Sequence, residues 1–126
     1  MPTFLRVTRH PADAARVEWI RGQFGADTTI VEQDVPFGND PVAAVKGLLA
    51  KHTEVVALEV VAPLPVLAQI LAARLGVPVV RSEFLRGPDG RVVVSGKDDN
   101  DRDILAFGEY VEMVRVEVMT RPLGSR

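Results

Sequence analysis

The chain predicts an α/β fold: a three-layer, Rossmann-like arrangement whose mainly parallel sheet ends in an antiparallel C-terminal hairpin and strand. Three observations lead there. Apolar, β-branched runs alternate with helix-spaced segments from Phe4 to Leu85. Each helix-spaced segment follows a proline, at Pro11, Pro41 and the Pro63/Pro65 pair, and a first-turn proline sacrifices no intrahelical hydrogen bond. Beyond Leu85 the helical spacing stops, and Gly87-Pro88-Asp89-Gly90 separates two strand-like runs, a signal for chain reversal.

Phe4-Leu5-Arg6-Val7 is the first strand, and it stops at Thr8-Arg9-His10-Pro11. The first helix is expected from Pro11 to about Gln23. Val17, Ile20 and Phe24 share a stripe, Asp13, Arg16, Glu18 and Arg21 decorate the rest, and Gly25 is the stop. Trp19 lies off the stripe, either over a core edge or on a partner surface. Thr28–Glu32 is β-branched and reads as the second strand. Asp40 is a good N-cap before Pro41, and the second helix runs to about His52 with Val42, Val45, Leu48 and Leu49 inward. Glu54–Val61 is nearly continuous in apolar residues, as a central strand buried on both faces requires. The third helix, from Val66 to about Leu75, is apolar on most sides and belongs in the core or at an oligomer interface. Val79–Leu85 is the fourth strand, expected to pair as a hairpin with Arg91–Ser95. Lys97–Asp103 is a charge-dense loop, Ile104–Tyr110 a short helix or irregular link, and Val114–Val118 an alternating final strand.

With 126 residues, 47% hydrophobic and 25% charged, the chain is one domain over residues 1–123, long enough to bury a core. Gly124-Ser125-Arg126 reads as a tag remnant. The net charge of -2 argues against a protein that coats long nucleic acid. No cysteine is present and only two histidines are, His10 and His52, so thiolate chemistry and Cys/His metal centres are excluded and no metal is expected. No stretch reaches the roughly 20 apolar residues a bilayer demands, and Met1-Pro2-Thr3 leads straight into a strand, so a cytoplasmic, membrane-free protein is expected. The first strand–helix turn lacks G-x-G-x-x-G, and neither a Walker-type phosphate loop nor a G-x-S-x-G elbow occurs. Nicotinamide, flavin, ATP-hydrolysing and serine-hydrolase chemistries are therefore disfavoured, and no cofactor is expected.

If the strands are parallel, the three strand–helix junctions share one sheet edge, where open α/β folds bind ligands. Thr8, Arg9 and His10 can together handle a phosphodiester, or Arg9 and His10 can simply cap and solvate the loop. A guanidinium forks onto phosphate oxygens, a helix N-terminus adds oriented amides, and an imidazole moves protons near neutral pH. At the second junction Gly38 permits close backbone approach, while Asn39 and Asp40 can bind a base or ribose or serve as turn and cap residues. Glu59, an ionisable group in an apolar strand, can face the pocket, pair with an arginine such as Arg81, or lie near a sheet edge. The Lys97–Asp103 segment lacks calcium-loop spacing and reads as a solvated or lid-like loop, from which Lys97 or Arg102 can close over a bound anion.

Val7-Thr8-Arg9-His10-Pro11 followed by Glu18-Trp19 resembles the opening of small CRISPR-associated proteins of the CARF, or ring-nuclease, group. That resemblance implies a Rossmann-like homodimer that binds a cyclic oligoadenylate, and in many members cuts it without metal by attack of a ribose 2′-hydroxyl on its neighbouring phosphate. Thr8, Arg9 and His10 carry the motif, with Arg9 and His10 as the implied catalytic pair. Two other readings stand beside it: a sensor or adaptor that binds a nucleotide without turning it over, and a structural oligomer with no small ligand.

Overall fold

Alternation along the first strand sets both halves of the core. The computed structural model describes residues 1–116 and 120–124, and in it β1 (Thr3–Val7) is buried at every position. Phe4 faces a cluster of Ile20, Ala57, Val80, Phe107 and Tyr110. Leu5 and Val7 face the other way, into Val45, Leu48, Leu58, Val60, Leu67, Ile70 and Val79. A strand apolar on both faces belongs in the middle of a sheet. Each fully buried Phe or Leu here stabilises the fold by about 1.5–3 kcal/mol.

The remaining elements are α1 (Ala14–Phe24), β2 (Thr29–Glu32), α2 (Pro41–Leu49), β3 (Val55–Val60), α3 (Leu64–Ala72), β4 (Val79–Phe84), β5 (Val94–Lys97), β6 (Asp103–Leu105) and β7 (Phe107–Glu112). The main sheet has the order β2-β1-β3-β4-β7. Its first four strands are mutually parallel and β7 is antiparallel to β4. Ile20 of α1 joins the Phe4 cluster, while Val45, Leu48, Leu67 and Ile70 of α2 and α3 join the other. One helix therefore lies on one face and two on the other, the expected three layers. No helix among the described residues is long and apolar enough to cross a membrane.

Several elements differ from the expectations. The first helix begins at Ala14 rather than Pro11, because Asp13 supplies a side-chain cap: its Oδ1 accepts from the Arg16 backbone N–H at 2.9 Å. Pro11 belongs to the preceding loop, where the Ala12 N–H donates to Glu32 Oε1 at 3.0 Å. Gly25 does stop the helix, at φ 118°. The second helix opens on Asp40 and Pro41 as expected. It ends at Leu49, and the expected last residues close as tighter i→i−3 turns, with Lys51 and His52 donating to Leu48 and Leu49 carbonyls. The third helix starts two residues early, at Leu64, with Pro65 in its first turn.

The C-terminal third departs most. Gly87–Gly90 does reverse the chain, but the expected hairpin with β4 shrinks to an isolated bridge between Arg86 and Val92. The free edge of β4 is taken by β7, whose Phe107 and Tyr110 bury under α1. Turn residues specify a reversal, not a partner, and the buried aromatics decide the pairing. The real hairpin is β5 with β6, so Ile104–Tyr110 is two strands rather than a helix or link. Residues 98–102 form the hairpin turn, where Asp98 Oδ1 accepts from the Asn100 and Arg102 N–H groups at 2.9 Å each. Of the expected final strand, Val114–Val116 carries no strand, while Glu117 and Val118, like Ser125 and Arg126 of the expected tag remnant, lie outside the described residues.

Candidate functional site

The chain passes from β1 to β2 on one flank, then returns through α2 to β3 on the other. At such a switch point the connections leave in opposite directions and open a crevice beyond the carboxyl ends of the two central strands. A cleft of about 490 Å³ lies there, lined by Arg6, Thr8, His10, Arg16, Glu59, Arg81 and Ser82 among others. That volume falls in the usual range for small-ligand sites, about 300–1,000 Å³. A second hollow of about 270 Å³ adjoins it, lined by Thr8, Arg9, His10, Asp34 and Phe37. Thr8 and His10 belong to both walls.

The floor follows from strand register. Arg6 and Glu59 are cross-strand partners between β1 and β3, and the alternation that buries Phe4 and Ala57 turns both toward α1. Both are almost wholly buried at the bottom of the cleft, with side-chain exposures of 5% and 4%. Arg6 Nε donates to Glu59 Oε1 at 2.6 Å. The same oxygen accepts from the Tyr110 hydroxyl at 2.8 Å, and Glu59 Oε2 accepts from Ser82 Oγ at 3.2 Å. Both carboxylate oxygens are thus engaged, as a buried charge requires.

These contacts set the protonation states. Burial alone would lower the Arg6 pKa, but its hydrogen bond to Glu59 and the Glu59 charge outweigh that and raise it. Burial pushes the Tyr110 phenol well above its ordinary value, and the charge and hydrogen bond of Glu59 push the same way. Tyr110 therefore stays a neutral donor at neutral pH.

The wall is the Thr8–Ala12 loop. Arg6 Nη1 donates to the His10 carbonyl at 3.0 Å, and the His10 N–H donates to Thr8 Oγ1 at 3.2 Å. The buried arginine thereby fixes the loop backbone, while the side chains of Arg9 and His10 stay exposed. From that position the imidazole can exchange a proton with a group in either hollow. The first-turn amides expected beside the motif are displaced: α1 begins three residues after Pro11, and Asp13 already caps it.

The opposite wall carries Arg16. Its Nη1 donates to Asp13 Oδ2 at 2.8 Å, its guanidinium carbon stands 4.7 Å from the centroid of the Phe107 ring, and Nη2 reaches Ser82 Oγ only at 3.5 Å. Arg16 Nε is buried without an acceptor among the described residues, an arrangement that costs about 1–3 kcal/mol. Trp19 packs edge-on to Tyr110 and Phe24, so it covers the edge of the aromatic core beneath this wall.

The other candidates are dispersed. Arg81 lines the cleft but pairs with Glu83 at 2.6 Å; it does not pair with Glu59, because alternation along β4 directs Ser82 rather than Arg81 to that face. Asp40 caps α2 by accepting from the Ala43 N–H at 3.0 Å, Gly38 occupies a left-handed turn at φ 57°, and Asn39 is exposed. None of these three lines either hollow. Lys97 is ion-paired to Asp103 across the β5–β6 hairpin at 2.7 Å and lines neither hollow. Sequence reading missed Arg6, Arg16, Ser82 and Tyr110. The available signal was a charge in each of two adjacent buried strands, Arg6 and Glu59, each two residues beyond an apolar position of the same face.

No protein-family model, no curated protein and no solved structure matches this chain.

Proposed function

We propose that this domain binds a nucleotide in the carboxyl-edge cleft, that the nucleotide is a cyclic oligoadenylate, and that the domain cleaves it without metal in CRISPR-type antiviral signalling. The single observation carrying the reading is the cleft at the β1/β3 switch point, walled by Thr8 and His10 and edged by Arg16 and Arg81, with Arg9 on the adjoining hollow. The ligand class comes from the likeness of Thr8-Arg9-His10-Pro11 and Glu18-Trp19 to the ring-nuclease group. In the reaction, a ribose 2′-oxygen bonds to the adjacent phosphorus and the bond from phosphorus to the 5′-oxygen breaks. His10 takes the 2′-hydroxyl proton and passes it to solvent, and a water in the open cleft gives a proton to the departing 5′-oxygen, so no net proton is consumed. Arg9, reaching from the adjoining hollow that shares Thr8 and His10 with the cleft, offsets charge on the phosphoryl oxygens, and the cleft holds the attacking and leaving oxygens in line. One cleft accommodates only part of such a ring, so two copies related by a two-fold axis would complete the site.

The test is incubation with labelled cyclic tri-, tetra- and hexa-adenylate in a chelator. Linear products that vanish in His10→Ala support the reading; intact rings that are also not retained on a filter overturn it. A second reading, binding without turnover, is favoured by two details. Glu59 has no free oxygen to act as a base, and Arg9 lines only the smaller hollow. Retention of an uncut ring by the unaltered protein would select that reading.

A further inference from the structure

We infer that Arg16 is the residue that grips the phosphodiester of the bound nucleotide, an inference that rests on the nucleotide reading of the cleft. The argument is one of spare donors. Arg6 lines the same cavity but is committed to Glu59 and to the His10 carbonyl. Arg81 is half exposed and held by Glu83. Arg9 is exposed and faces the neighbouring hollow. Arg16 differs from all three. Its side chain is only 19% exposed, it is aimed by Asp13 and by the Phe107 ring, and it lines the cleft.

Its free valences lie on one edge. Nε and Nη2 share the side of the guanidinium that forks onto two oxygens of a phosphate. Nε has no acceptor among the described residues, and the contact of Nη2 with Ser82 is at the limit of hydrogen bonding, 3.5 Å. Nη1, on the other side, is the nitrogen anchored to Asp13. A small turn of the guanidinium about that anchor, into the cleft, gives Nε an acceptor and exchanges one long contact for two charge-assisted ones. A buried donor without a partner in a folded chain calls for such an account, and a ligand that supplies the acceptor selects the turned conformer.

The test is titration calorimetry with cyclic tri-, tetra- and hexa-adenylate on the unaltered chain and on Arg16→Gln, Arg16→Lys and Arg21→Gln. Arg21 removes the same charge from the exposed end of α1, outside the cleft. Loss of the fork weakens binding by about tenfold or more in Arg16→Gln. Arg16→Lys falls between, keeping the charge and the Asp13 contact but not the paired donors, and Arg21→Gln binds like the unaltered chain. Thermal unfolding of each variant separates lost affinity from lost fold. Arg16→Lys is the decisive variant if Arg16→Gln does not fold. Binding to the unaltered chain that Arg16→Gln or folded Arg16→Lys leaves unchanged overturns the role of Arg16 while sparing the nucleotide reading. Equal weakening by Arg21→Gln also overturns it, by reducing the effect to net charge. An unaltered chain that binds none of the three rings overturns the nucleotide reading and this inference with it.

Discussion

Glu59 is the residue on which the site's geometry hangs. It accepts from Arg6, Tyr110 and Ser82 at once, and Arg6 in turn holds the His10 carbonyl. Removing the charge takes away the close partner of a buried arginine and leaves it only the more distant Glu32 carboxylate, at 3.5 Å, so Glu59→Gln is expected to destabilise the fold by about 3–5 kcal/mol in urea unfolding. A double variant, Arg6→Met with Glu59→Leu, should be less destabilised than the sum of its singles, because the pair is coupled. An additive result would contradict direct pairing. Tyr110→Phe removes a hydrogen bond to a buried carboxylate, with an expected cost of about 1.5–3 kcal/mol. Tyr110 is also the chain's one tyrosine, so its ionisation can be followed in isolation. Its pKa is raised in the folded state, so the native chain keeps a proton that the unfolded chain loses near pH 10. Its contribution to stability is complete below that pH and is lost as pH climbs from there toward the raised native value. The tyrosinate absorbance band should therefore appear at higher pH in the native protein than in urea. Coincident titrations would mean that the phenol is not held by Glu59.

At the scale of elements, the parallel half of the sheet was legible because β1, β2 and β3 are each followed by a helix with a proline near its start. Asp40-Pro41 is the clearest, and Asp40→Ala should lower stability by about 1 kcal/mol through loss of the cap, leaving ligand binding intact. The first helix was misplaced because proline and aspartate compete for the same role, and the side-chain acceptor won. The antiparallel half was illegible for a different reason. Ile104–Glu112 holds Phe107 and Tyr110 three residues apart, a spacing that suits a helix as well as an irregular strand. The β4–β7 register shifts at Gly108, between the Glu83–Glu109 and Phe84–Phe107 pairs, and there the chain passes the Leu85 backbone so closely that a Cβ would sit 3.0 Å from the Leu85 nitrogen. Gly108→Ala should cost about 1–3 kcal/mol by forcing β7 from β4. Wild-type stability in that variant would show that the backbone yields at no cost.

On the scale of the whole molecule, strand order creates the site, and strand order is the property that local sequence encodes least. Thr8, Arg9 and His10 were visible because they break an apolar pattern at the end of the first strand. Arg6 was hidden inside that pattern, and Arg16 was read as decoration of a wet helix face. Each gains its meaning from a residue far along the chain, Glu59 and Phe107 respectively. Gly38, Asn39, Asp40 and Lys97 belong to turns, caps and a hairpin rather than to the cleft walls. The most direct measurement is amide chemical-shift mapping with cyclic oligoadenylates titrated into the protein. Shifts concentrated in residues 8–12, 60–62 and 81–82, with Arg16 among them, are the expected result. Binding that instead perturbs α3 and residues 113–116, or no perturbation at saturating ligand, would contradict a nucleotide site at the carboxyl edge of β1 and β3.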